Sequence, residues 1–376
     1  MNLSRRLSGL ARSALLLCGV AAWVAGVSVA GAAVPGVRKP ASKPVSKPVS
    51  TSVAKSAGKV PAKRTFTASA KSGYNPSSAK PKSSTPAQLR ASARARAARE
   101  AAVPRYKTDA TGAIVPDLHA AAAIIYNPQT QQVLWESHSQ DKRSIASITK
   151  VMTAVVCIES DPDLSQVVTV DRADAVAAST TYLRAGYQVS VRDLLHLLLI
   201  SSDNVAARTL ARVSPWGPAG FVARMNDKAT ELSLHSTTYA DPSGLDADNV
   251  SSAYDMARLI AYASADDRLS AIMKKPEYKL TLARRPVTIR STNQLLSRTD
   301  MEGSVLGAKT GFISRSGYCL ATLLKMPQVN QPVAVVVLGA SSNAARFTEV
   351  RNLFTWLTTR AQDLVGKDQR EPEGRD

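Results

Sequence analysis

Ser147 and Lys150 stand three residues apart in SIASITKVMTAVV, Ser144–Val156, where Ile148, Val151, Met152 and Val155 recur at helical spacing. Residues three apart on a helix share a face, and a serine in the first turn lies where the helix's partial positive charge favours a developing anion. A serine hydroxyl is a weak nucleophile that needs a base, and an ammonium cannot accept its proton. Burial and a second nearby cation both depress a lysine's pKa until a useful neutral fraction exists. The pair reads as nucleophile and base if the fold buries the amine and brings up another positive charge.

That charge is offered by AKTGF, Ala308–Phe312. Lys309 and Thr310 begin an expected strand, and Gly311 removes a side chain so that a substrate backbone can approach. Between the two stretches lies SSDN, residues 201–204, a polar break after an apolar helix, from which Ser202 and Asn204 can project into a cleft. Each short stretch alone is weak evidence. Together, at a helix start, a helix break and a strand start, they form a joint signal. A helix cap at Ser147, a snorkelling Lys150 and a turn at 309–311 would not explain the set.

The elements that must position these residues can be read from pattern. Ala120–Ser137 reads as strand, Asn-Pro turn, strand. Ser190 and Asp193 form an expected capping box ahead of a helix running to Ile200, with a second helix after the break. Ser316–Lys325 and Gln331–Ala340 are apolar strands, and Arg346–Arg360 is an amphipathic helix. Two strands, many helices, three strands and a terminal helix imply an α/β domain whose sheet is assembled from both ends of the chain, with a helical insertion.

The 376 residues are 44% hydrophobic and carry a formal net charge of +19. Residues 1–99 hold 18 Lys and Arg and no acid, so the rest, with 30 basic and 29 acidic residues, is nearly neutral. The charge therefore does not mark the folded part as a specific nucleic-acid binder. Arg5, Arg6 and Arg12, an apolar run from Ala14 to Ala30 and the small residues Ala30-Gly31-Ala32 read as a signal peptide over 1–32, cleaved near residue 32. Residues 33–110, rich in Ala, Lys, Pro and Ser and repeating in SKPVSKPVS (Ser42–Ser50), read as a disordered basic tether. This segment suits attraction to an anionic surface, although a charge run without aromatics or a motif is weighted towards a solvated linker. Residues 111–362 form the expected folded domain and 363–376 a charged tail. Once the signal is removed, Cys157 and Cys319 remain, read as buried free thiols with a disulfide left open. His119, His138, His196 and His235 show no metal-ligand spacing, and neither a metal nor a cofactor is expected.

From about Ala120 to Arg360 the chain resembles the low-molecular-mass penicillin-binding proteins, and among them the D-alanyl-D-alanine endopeptidase branch of the serine-type D-Ala-D-Ala peptidases. The resemblance runs through IASITKVMTAVV, ISSDNVAARTLA, ADPSGL (Ala240–Leu245), STNQLL (Ser291–Leu296) and KTGFISRSGYCL. It implies a β-lactamase/transpeptidase-like α/β fold, with a central antiparallel sheet from N- and C-terminal strands and a helical subdomain. It implies a periplasmic enzyme that acts on peptidoglycan stem peptides and is acylated by β-lactam antibiotics. In the implied mechanism Ser147 attacks the carbonyl between two D-configured residues and Lys150 takes its proton. Ser202 relays a proton to the departing amine, and Asn204 bonds both Lys150 and the peptide. Lys309 and Thr310 hold the adjacent carboxylate, followed by Gly311, and the N–H groups of Ser147 and Phe312 hold the oxyanion. Ile313 departs from the threonine common in relatives and bears on substrate preference. The resemblance favours cleavage of D-Ala-to-diamino-acid cross-links, with D-alanyl-D-alanine carboxypeptidase as the alternative. A class A-like β-lactamase would need a glutamate, for which Glu231 is the nearest candidate, but the expected Asn is replaced by His235. A non-catalytic wall- or nucleic-acid-binding protein would not need Ser147, Lys150, Ser202, Asn204 and Lys309 intact.

Overall fold

The computed structural model describes residues 103–368 other than 302, 303, 328 and 329, with side chains to Arg360, together with Thr85 and Ser92. The expected signal peptide, nearly all of the expected tether and residues 369–376 lie outside the described residues. The hairpin expected over 120–137 is present as β1 (Ala122–Asn127) and β2 (Gln132–Ser137). Late in the chain come β3 (Val305–Ile313), β4 (Gly317–Lys325) and β5 (Pro332–Ala340). The five pair antiparallel in the order β3-β4-β5-β1-β2, so the sheet is built from both ends of the chain as expected.

β5 is apolar throughout because the sheet is covered on both faces, which removes the usual in-out alternation. Val333, Val335 and Val337 join Ile125, Leu320 and Leu324 against Val350, Leu353 and Phe354 of the C-terminal helix α8 (Asn343–Asp368), a helix longer at both ends than the span read from its periodicity. Ala334 and Val336 join Ile124, Ala321 and Leu323 under the helical layer. That layer holds α1 (Thr149–Glu159), α2 (Arg172–Ala175), α3 (Val191–Ile200), α4 (Asn204–Val213), α5 (Gly217–Glu231), α6 (Ala253–Ala265) and α7 (Asp267–Met273). Cys157 on α1 and Cys319 on β4 are buried and free.

Ser190 caps α3 by accepting from the Asp193 N–H at 3.0 Å, but the Asp193 carboxylate accepts from the hydroxyls of Ser190 and Tyr278, each at 2.8 Å. The complete capping box belongs to α2, between Asp171 and Asp174. Folded chain also begins ahead of residue 111, because Tyr106–Thr108 pairs with Ile114–Pro116 and Trp356 donates to the Ile114 carbonyl at 3.0 Å. An unexpected hairpin joins Glu277–Leu282 to Arg285–Arg290, turning through Ala283 and Arg284 at φ 48° and 64°. Such turns ordinarily announce themselves with Asn or Gly, and this one does not.

Candidate active site

Ser147 lies in a 3-10 turn, Ala146–Ile148, one step ahead of α1, rather than in the α-helix itself. Lys150, in the first turn of α1, is 0% exposed. Its Nζ lies 2.9 Å from Ser147 Oγ and 2.7 Å from Asn204 Oδ1, and it also donates to the Ser243 carbonyl. An amide oxygen and a peptide carbonyl can only accept. A neutral amine therefore commits its two N–H groups to these oxygens and turns its lone pair to the Ser147 hydroxyl. Burial brings Lys150 down to about 7, opposed by the charges of Asp241 and Asp203 and reinforced by Arg208. Burial, rather than the second cation expected from the sequence, is the main cause. Lys309 is 1% exposed and is itself held well below the ordinary lysine range, by burial first and then by the charges of Lys150 and Arg346.

The SSDN break places its residues by strain and capping. Ser202 takes a left-handed conformation at φ 62°, uncommon for a residue with a side chain. Its hydroxyl accepts from Lys309 Nζ at 2.8 Å, and the same amine donates to the Thr310 carbonyl at 2.8 Å. Asp203, fully buried, caps α4 through the Ala206 N–H at 2.9 Å and binds the Tyr182 N–H at 2.7 Å and the Thr181 hydroxyl at 2.9 Å. Burial raises its carboxyl above the usual range. Through these bonds Asp203 fixes residues 179–182, whose Ser179 carbonyl accepts from Asn204 Nδ2 and whose Thr180 carbonyl accepts from the Asn204 N–H at 3.2 Å. The bond to Ser179 turns one N–H of Nδ2 to that carbonyl and so points Oδ1 at Lys150.

Lys309 and Thr310 sit in the middle of β3 rather than at its start, on the edge strand of the sheet. A cleft of about 500 Å³ runs along this edge, with Ser147, Ser202, Asn204, Thr310 and Phe312 among its walls. Lys150 and Lys309 lie behind those walls, reached through Ser147 and Ser202. Gly311 also borders the cleft, but its missing side chain serves packing: a Cβ there would lie 2.6 Å from the Ile145 carbonyl oxygen, against the turn that carries Ser147. Phe312 is 48% exposed and stacks on Tyr318 with ring centroids 4.2 Å apart, while Ile313 forms part of the rim. Glu231 is exposed, paired with Arg224 and Lys228, and absent from the cleft walls.

Sequence reasoning assigned no role to four contributors. Thr292 borders the cleft with its hydroxyl 2.7 Å from that of Thr310, and Arg346 borders it while donating to the Gly311 carbonyl at 2.9 Å. Burial lowers Arg346 to about 10. Its signal was positional: residues 346, 350, 353 and 357 form one stripe of α8, so this arginine faces inward with Val350, Leu353 and Leu357. Asp241 and Ser243 lie in the ADPSGL stretch, where the Gly suggests a turn without showing that its carbonyl reaches Lys150.

Residues 109–342 match the family described as D-alanyl-D-alanine carboxypeptidase. The D-alanyl-D-alanine endopeptidase of Escherichia coli K12 is 32% identical over 254 residues, covering 66% of this chain and 81% of that protein. The D-alanyl-D-alanine carboxypeptidase DacC of the same strain is 34% identical, covering 64% of this chain and 62% of that protein. The crystal structure of the Streptomyces K15 DD-transpeptidase superposes with a TM-score of 0.60 at 28% identity, covering 64% of this chain and 97% of that one.

Proposed function

The chain belongs to the D-alanyl-D-alanine carboxypeptidase family of serine peptidases, and from that premise we propose that it is a periplasmic endopeptidase that opens D-Ala-to-diamino-acid cross-links of peptidoglycan through an acyl-enzyme on Ser147. The observation that carries the chemistry is the environment of Lys150 Nζ, with two obligate acceptors and the Ser147 hydroxyl as its three partners. Ser147 Oγ attacks the D-alanyl carbonyl as Lys150 takes its proton. The oxyanion collects between the N–H groups of Ser147 and Phe312, each such donor being worth a factor of ~10²–10³. Collapse breaks the C–N bond, and Ser202, hydrogen-bonded to Lys309, relays to the leaving amine the proton that Lys150 took from Ser147, which leaves Lys150 neutral. Thr310 receives the carboxylate next to the scissile nitrogen, with Lys309 behind it and Ser202. Lys150 then takes a proton from water as the water oxygen attacks the ester carbonyl, and gives that proton to Ser147 Oγ as the ester C–O bond breaks, releasing the acid. A β-lactam enters by the same first step.

A carboxylate stands beside the scissile bond in a terminal D-alanine and at the D-centre of a cross-link, so the clamp serves carboxypeptidase action as well. The endopeptidase relative, spanned over 81% of its length, supports cross-link cleavage. The signal-like residues 1–32 support export. Digestion of purified cross-linked peptidoglycan, with separation of the products, tests the proposal. Monomers that retain the fourth-position D-alanine, absent with Ser147→Ala, are expected. Shortened pentapeptides with the cross-links intact would overturn the endopeptidase assignment.

A further inference from the structure

The third partner of Lys150, the Ser243 carbonyl, belongs to a turn over residues 241–246 that is organised around one carboxylate. Asp241 accepts from the backbone N–H groups of Ser243 (3.1 Å), Gly244 (2.9 Å) and Asp246 (3.4 Å), from the Ser243 hydroxyl and from Asn249 Nδ2. Asn249 Oδ1 accepts in return from the N–H groups of Ala240 (3.1 Å) and Asp241 (3.4 Å), so the peptide that carries the carboxylate is itself fixed. The turn is pressed against the reacting residues. Its Pro242 carbonyl accepts from Thr153, three residues beyond Lys150 on α1, at 2.6 Å. Gly244, at φ +77°, lies so close that a Cβ would fall 2.1 Å from the Ala146 carbonyl oxygen. Asp241 itself is absent from the cleft walls.

We propose that Asp241 is a positioning residue for the base: its carboxylate closes the turn, holds the Ser243 carbonyl against Lys150 Nζ and so aims the amine's remaining position at Ser147. This inference rests on the acyl-enzyme reading above. Without a fixed Ser243 carbonyl the amine can rotate about its stem, and its lone pair loses its direction. The charged groups facing the amine are Asp241 and Asp203, which favour its protonated form, and Arg208, which opposes it, with Lys309 nearby. Removing the charge of Asp241 therefore also makes the amine easier to deprotonate, an effect that a merely structural residue would lack.

The test is the second-order rate of penicillin acylation from pH 5 to 9 in the full chain, with thermal unfolding followed alongside. Asp241→Asn is expected to lower the high-pH plateau about tenfold and to move the acid limb down by about one pH unit. Asp241→Glu, which restores the charge, should return the limb. A lowered plateau with an unmoved limb, or a profile unchanged in both respects, overturns the proposal. If Asp241→Asn does not fold, Ser243→Ala removes one partner of the carboxylate while keeping the carbonyl; a plateau equal to the parent's would then overturn the positioning role. Absence of acylation in the unaltered protein would sink the proposed function instead.

Discussion

Replacing Gly311 with alanine asks which face of β3 requires the missing side chain. An alanine Cβ would stand 2.6 Å from the Ile145 carbonyl oxygen and 3.2 Å from the Ile148 nitrogen, where ordinary contact starts near 3.4 Å, so the strand and the Ser147 turn must part by about 0.8 Å. Overpacking of this kind costs about 1–3 kcal/mol. At ~2–4 °C per kcal/mol for a domain of this size, Tm should fall by about 2–12 °C. The displacement opens between Ser147 and Phe312, the two sides of the proposed oxyanion site, and a misplacement near 1 Å costs up to ~100-fold in rate. Labelling by fluorescent penicillin should therefore slow by about 10–100-fold. Thermal unfolding and labelling kinetics read both quantities. If Tm stays within about 1 °C of the parent, labelling is unchanged and only the KM for peptide rises, the glycine serves substrate approach and the packing argument is wrong.

The acylation rate of the unaltered enzyme should fall about tenfold per pH unit below about 7, where Lys150 becomes protonated; a flat profile between pH 5 and 8 would remove this amine as the base. Lys309→Met should weaken capture of carboxylate-bearing substrates yet leave that limb within about half a unit, because burial is the first cause of the Lys150 shift. Movement of the limb to pH 9 or above would restore the two-cation account.

Much of the site was legible because its chemistry is punctuated locally. The helical spacing after Ser147 and the polar interruption at 201–204 each stand out against apolar surroundings, and the unbroken apolar run of β5 announces a strand covered on both faces. What stayed hidden depends on contacts between distant segments. Nothing near residue 241 says that a carbonyl two positions on will meet a lysine 93 residues earlier in the chain. Arg346 looks like any cation on an amphipathic helix until its register places it on the inner stripe. The hairpin after Glu277 was missed because Ala283 and Arg284 adopt positive φ without a glycine, and the strand that carries Lys309 starts earlier than its polar residues suggest.

The helical layer sets the protonation of Lys150, the proposed base, and the cost of doing so has a sign. In the unfolded chain Lys150 titrates near ~10.4, against about 7 in the fold. Between those values the unfolded state binds more protons, so stability rises with pH across the interval. The penalty is fully present below about pH 7 and vanishes as pH approaches ~10.4, with a size on the order of 5 kcal/mol. Lys309 adds to it in the same direction. Against a typical margin of ~5–15 kcal/mol this is a large concession, and the two cores on either face of the sheet must offset it. Asp203 and Asp241 keep the concession from growing, since each favours the charged amine. Both also hold an oxygen on Nζ, Asp203 through Asn204 and Asp241 through Ser243. The residues that aim the amine are thus the ones that stop burial from driving its pKa further below neutrality, so removing either carboxylate alters orientation and proton affinity together.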